Sequence, residues 1–93
     1  IHLGDYIYEY GPQVGAPRQH DGPETEGLLS YRNRHALYKT DANLQAAHAA
    51  SPWLVTWDDH EVENNYADAI SEDDLDPAVF LERRAAAYRA YYE

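Results

Sequence analysis

The sequence predicts an α/β layer fold in which two parallel strands are joined by a helical crossover. Three observations lead there. Two short apolar runs, Ile1-His2-Leu3 and Trp53 to Trp57, have the length and content of buried strands. Between them lie two segments with helix-start signals. Strands joined through helices run parallel, and in such folds ligand sites lie beyond the carboxyl ends of the strands.

The elements follow in order. Gly4 stops the first run. Residues 10 to 27 hold four glycines, three prolines and little apolar content, which predicts a loop long enough to be functional. Ser30 is the expected N-cap of a helix over 31–39, with Tyr31, His35 and Tyr38 on one face. Thr40-Asp41 restarts a second helix over 42–50, with Leu44, Ala47 and His48 on one side and Pro52 ending it. Residues 58 to 76 are polar and close on the acidic run Ser71 to Asp76. That run lacks the central glycine and distant glutamate of a calcium loop and reads as a solvated helix start. Asp76-Pro77 supplies a cap followed by proline at the first helical position, and the last helix runs to Glu93 with Leu81, Ala85, Tyr88 and Tyr92 along one stripe.

Ninety-three residues allow one small domain with a modest core. A formal charge of −10, from 17 acidic and 7 basic residues, argues against a nucleic-acid backbone or an anionic lipid surface as direct partner. A bound cation would reverse that logic locally. No apolar run of about 18 residues is present, so no membrane span is expected; no signal peptide is visible. With no methionine, a start inside an apparent strand and a stop inside an apparent helix, residues 1–93 read as an internal piece of a longer protein.

Two clusters carry chemistry. In Gly4-Asp5-x-x-Tyr8, a carboxylate just past a strand end can bridge two cations, and a phenol three residues on can return to the same point if the chain turns at Gly4. In Asp58-Asp59-His60-Glu61, four ionisable groups follow an apolar run without a spacer, and they repel one another unless something neutralises them. One aspartate can face the metals of Asp5, and a histidine beside it can offer a proton to a leaving oxygen. The bland alternatives are packing tyrosines in the first cluster and a capped, solvated turn in the second. His35 and His48 read as packing residues, His2 as supporting at most, Arg32 and Arg34 as structural, and Asn64 and Asn65 as turn formers.

Taken together, "HLGDYIYEYG", "YRNRHALYKTDANLQAAHAASPW" and "TWDDHEVENNYA" resemble the PhoD-like alkaline phosphatases and phosphodiesterases of the metallophosphoesterase (calcineurin-like) superfamily, over nearly all of the chain. The resemblance implies a two-sheet α/β sandwich with a dinuclear metal centre, of which this chain would be part. It makes Asp5 the bridging ligand, Tyr8 a phenolate ligand of ferric iron, Asp59 the ligand of a second metal and His60 the partner of the phosphate and leaving group. Aspartate stands where the wider superfamily has asparagine, which suits a hard ion, and iron(III) with calcium is the implied pair. A one-residue slip would exchange Asp58 and Asp59. The implied reaction is metal-assisted hydrolysis of phosphate mono- or diesters, by a protein secreted or held in the periplasm or cell wall. With the remaining ligands absent from these residues, the chain alone is expected to be inactive. Two other readings stand beside this one: a purple acid phosphatase or similar dinuclear hydrolase, and an acidic calcium-binding α/β module without catalysis.

Overall fold

Local capping chemistry places the helices. In the computed structural model, which describes all 93 residues, α1 spans Leu28–Tyr38, α2 spans Ala42–Ala50 and α3 spans Pro77–Tyr92. Asp41 caps α2 by accepting the N–H groups of Asn43 and Leu44, both at 2.9 Å. Asp76 caps α3 through the Ala78 N–H at 2.9 Å, with Pro77 at the first position. Ser30 serves α1 differently from expectation. The helix opens at Gly27, and the Ser30 hydroxyl reaches back from the first turn to accept the Gly27 N–H at 3.1 Å.

The expected α/β sandwich, with parallel strands joined by a helical crossover, is not formed. The chain has three helices and no strand or sheet. Residues 1–3 and 53–57 do meet in parallel, but only at one isolated bridge, His2 with Val55. The His2 N–H donates to Leu54 O at 2.9 Å and the Thr56 N–H to His2 O at 3.2 Å. A pair of extended segments becomes a stable sheet only when further strands extend it or a packed layer covers its apolar face. Neither occurs here: Leu3 is 77% exposed and Leu54 72%.

Helix α1 packs against α3 instead, and the core forms between them. It consists of Ile7, Tyr31, Val62, Phe80, Ala87 and Ala90. The buried stripe of α3 is therefore Phe80, Arg83, Ala87 and Ala90, not the stripe of Leu81, Ala85, Tyr88 and Tyr92. Both stripes have helical spacing. The choice between them falls to Arg83, whose guanidinium donates to the Tyr31 hydroxyl at 3.0 Å and to Glu24 at 2.7 Å and lies 3.2 Å from Glu63. Burying that charge with its partners turns the helix by one stripe. Tyr88, half-buried, stacks on Trp57 at 4.9 Å and ties the segment before the acidic cluster to α3.

Helix α2 buries nothing. It is held at its end by His48, which stacks on Trp53 at 4.0 Å and pairs with the Tyr6 hydroxyl at 2.7 Å, while Trp53 Nε1 donates to Ala47 O at 3.1 Å.

Candidate metal centre

Two loops meet at the site, residues 4–10 and residues 58–65, and a buried carboxylate from the second holds the first. Glu61 is 2% exposed and accepts four backbone N–H groups: Asp5 at 3.2 Å, Tyr6, Ile7 at 3.3 Å and Asp58 at 2.7 Å. Turns leave N–H groups without regular partners, and one carboxylate satisfies a row of them. Gly4 lets the loops touch. It sits at φ +104°, and a Cβ there would fall 2.5 Å from Asp58 Cβ and 2.6 Å from Asp58 N. Asp5 follows at φ 54°, a left-handed conformation that aspartate tolerates better than most residues.

This geometry gathers the acidic and imidazole groups. Asp5, Asp59 and His60 each offer one ligand atom, and these atoms lie within 4.8 Å of one another. Asp59 is thus the aspartate that converges on Asp5; Asp58 is exposed. The Tyr8 hydroxyl donates to Asp5 Oδ2 at 3.3 Å, which brings the phenol to the same point. The other oxygen, Asp5 Oδ1, is buried and has no hydrogen-bond partner. A buried carboxylate oxygen left unpaired is costly in water-free surroundings unless a cation takes it. Two carboxylates, an imidazole and a phenol make a donor set for a hard or borderline cation.

Titration follows from the same contacts. Burial pushes the His60 imidazole down, but the hydrogen bond and charge of Glu9, with Asp59 and Asp5 nearby, lift it above its ordinary value. Burial pushes the Asp59 carboxyl up, while backbone N–H groups, that of Asn65 at 2.5 Å foremost, and His60 bring it below. Tyr8 is raised, first by burial and then by the charge of Asp5 and the hydrogen bond to it.

Glu9 is the residue that sequence reasoning missed. It is 1% exposed; its Oε2 pairs with His60 Nδ1 at 2.8 Å and its Oε1 accepts the Asn64 N–H at 2.7 Å. A signal was present. Ile7 and Glu9 alternate with Tyr6, Tyr8 and Tyr10, so period two places Glu9 on the buried side with Ile7. Arg34 also proves structural in an unexpected way. It is buried and donates to backbone carbonyls, those of Tyr8, Tyr10 at 2.8 Å and Pro23 at 3.3 Å, thereby shaping the loop that carries Tyr8. Arg32 meets Glu93 at the surface, 2.5 Å away. Asn65 turns the chain at φ 55°, and the amides of Asn64 and Asn65 both reach Glu72. His2 and His20 lie away from the centre: His2 stacks on Trp53, and His20 pairs with Tyr10 O and the Tyr38 hydroxyl.

The profile of the family described as PhoD-like phosphatase matches residues 1–93. The chain belongs to that family. Among its PhoD-like relatives, alkaline phosphatase D of Bacillus subtilis (strain 168) is 62% identical over 98 aligned positions, which take in 100% of this chain and 17% of the relative. A solved structure described as "Structure of PhoD" matches at a TM-score of 0.92 and 61% identity, over 98% of this chain and 18% of that one. This PhoD-like chain thus spans less than a fifth of the length of either relative.

Proposed function

We propose that the chain forms part of a metal-dependent phosphoric ester hydrolase of the alkaline phosphatase D type, acting on phosphate mono- or diesters. Asp5, Tyr8 and Asp59 are its metal ligands in this reading, and His60 is the catalytic proton partner. The observation that carries it is the convergence of Asp5, Asp59 and His60 on one point from sequence positions more than fifty apart, with Asp5 Oδ1 buried and unpaired. The likeness to a protein named alkaline phosphatase D supports the same reaction class.

The proposed metals are iron(III) and calcium. Bound there, they supply Lewis-acid stabilisation of the phosphoryl oxygens and an activated water. The residues do the rest. Asp5, through two oxygens of which only one is engaged within the chain, is suited to bridging two cations. Tyr8 is held protonated by burial and by Asp5, and a cation of high charge is what reverses that balance. His60, clasped from behind by Glu9, leaves its Nε2 free to give a proton to the departing oxygen. An anionic ester can approach these carboxylates only if cations offset their charge, which is why the acidity of the chain agrees with a metal centre. Location outside the cytoplasm, secreted or in the periplasm or cell wall, belongs to the same proposal and is supported by family likeness alone.

The test is hydrolysis of 4-nitrophenyl phosphate and bis(4-nitrophenyl) phosphate by the full-length protein before and after chelation. Loss of turnover on chelation and recovery with iron and calcium are expected, with a charge-transfer colour that disappears in Tyr8→Phe. Turnover unchanged by complete metal removal overturns the reading, and colourless, inactive protein holding only calcium favours a binding module. The 93-residue chain alone should be inactive, because its few convergent donors fall short of the six or so ligands each of two hard cations takes. Turnover above a metal blank would overturn that expectation.

A further inference from the structure

We propose that the groove between the Tyr8–Tyr10 segment and the long loop is the subsite for the leaving group of the ester, and that it takes a flat aromatic ring such as the base of a nucleoside. This rests on the reading of the centre as a phosphoric ester hydrolase with His60 as proton partner. The groove holds about 420 Å³, and Tyr8, Tyr10, Ala16, Arg18, His20 and Tyr38 are among the residues that line it. Clefts above about 300 Å³ have room for small organic groups. Two of its walls belong to the metal centre as well. The Tyr8 ring lies 4.4 Å from that of His60 between centroids, and its hydroxyl donates to Asp5 Oδ2 at 3.3 Å. The Tyr10 ring meets His60 edge-on at 5.5 Å. An alcohol that takes its proton from His60 therefore departs beside these rings, at the mouth of the groove.

The chemistry of the walls selects the occupant. The groove is held open by its own contacts: His20 Nδ1 pairs with Tyr10 O at 2.6 Å and its Nε2 with the Tyr38 hydroxyl at 2.9 Å, while Arg34 holds the carbonyls of Tyr8 and Tyr10. Those pairings use both ring nitrogens of His20. Arg18 is committed too, with Nη2 3.2 Å from Asp41 Oδ2 and its guanidinium 4.9 Å over the Tyr38 ring. A second phosphate group would meet a cation whose charge is already offset. A polyol would bring hydroxyls into a place where the imidazole and the guanidinium are taken, and a buried hydroxyl without a partner is costly. What the groove offers is ring faces from three tyrosines and a histidine, and a flat π-system asks for nothing else. No carboxylate lines it, in a chain of formal charge −10, so an uncharged ring joined to a phosphate at the centre meets no repulsion there.

The test uses the full-length, metal-loaded protein with adenosine 5′-monophosphate and ribose 5-phosphate. Both release a primary sugar alkoxide, so leaving-group acidity is matched and the base is the main difference between them. The expected result is a kcat/KM about tenfold or more higher for the nucleotide, the size of one base stacked on an aromatic side chain. Free adenosine should compete with the nucleotide, and free ribose should not. Two variants locate the effect. Tyr10→Leu removes a ring from the wall, and Ala16→Trp fills the groove from the loop side while keeping every side-chain hydrogen bond named above. In each, the ratio of the two kcat/KM values should fall toward one, whatever happens to their absolute size. Ala16→Trp carries the comparison by itself if Tyr10→Leu does not fold. Equal kcat/KM values in the wild-type protein overturn the proposal, as does a preference that survives Ala16→Trp, because the base is then bound elsewhere. Wild-type protein that hydrolyses neither of these esters nor 4-nitrophenyl phosphate would instead overturn the phosphatase reading itself, and this proposal with it.

Discussion

Glu61 holds Asp5 across 56 positions of sequence: its Oε2 accepts the Asp5 N–H at 3.2 Å. The same carboxylate takes the N–H groups of Tyr6, Ile7 and Asp58, so a single side chain sets the distance between the two loops of the centre. In Glu61→Gln the amide N–H₂ must face at least one of these donors. A loss of about 1–3 kcal/mol is expected, together with weaker metal retention. Urea unfolding and metal analysis of the full-length protein measure both, and a variant with wild-type stability and metal content would show that the loops are held by something else.

Gly4 and Gly22 separate steric crowding from backbone strain. Both have positive φ, +104° and +75°, but only Gly4 would thrust a Cβ into a neighbour, the backbone and Cβ of Asp58. Gly22→Ala should cost about 1 kcal/mol from its left-handed backbone alone. Gly4→Ala should cost upwards of about 2 kcal/mol and part the two loops. Similar losses in the two variants, measured by denaturant unfolding, would remove the case for close approach at Gly4.

His35 makes stability depend on pH. Burial, and then the charge of Lys39, push its imidazole down to about 4. The unfolded chain binds a proton near pH 6.5 that the folded chain refuses until about 4. Stability from this group is therefore complete above pH 6.5 and lost progressively as pH falls from there to about 4. Allowing for the partial exposure of the ring, the loss is about 1–2 kcal/mol. Thermal unfolding across that window should show it, and His35→Phe should flatten it.

Arg34 is the pin of the long loop. Arg34→Met removes its donors from the carbonyls of Tyr8, Tyr10 and Pro23 and leaves them short of partners in a buried setting. About 2–3 kcal/mol should be lost locally. Hydrogen exchange at the Thr25 N–H, which is bonded to Glu9 O, should speed accordingly, whereas α2, to which the Arg34 guanidinium makes no hydrogen bond, should be unchanged.

Much of the local structure was legible in the sequence. Asp41 and Asp76-Pro77 announced their helices because a cap depends only on residues two or three positions away. The types of residue in the two clusters, and their resemblance to a phosphatase family, were also legible, since both reside in the order of the letters. Ser30 was misplaced by three positions because a hydroxyl serves a helix start equally from the cap or from the first turn.

What only the tertiary structure decided depends on partners distant in sequence. Periodicity allowed two faces for α3, and Arg83 chose one through Tyr31, Glu24 and Glu63. Apolar runs at 1–3 and 53–57 suggested a sheet, yet a sheet is a property of several paired segments, and here a single bridge forms. Nothing local told Glu9 to meet His60, or Glu61 to gather Asp5 and Asp58. Those contacts arise because buried carboxylates must find donors wherever the folded chain supplies them.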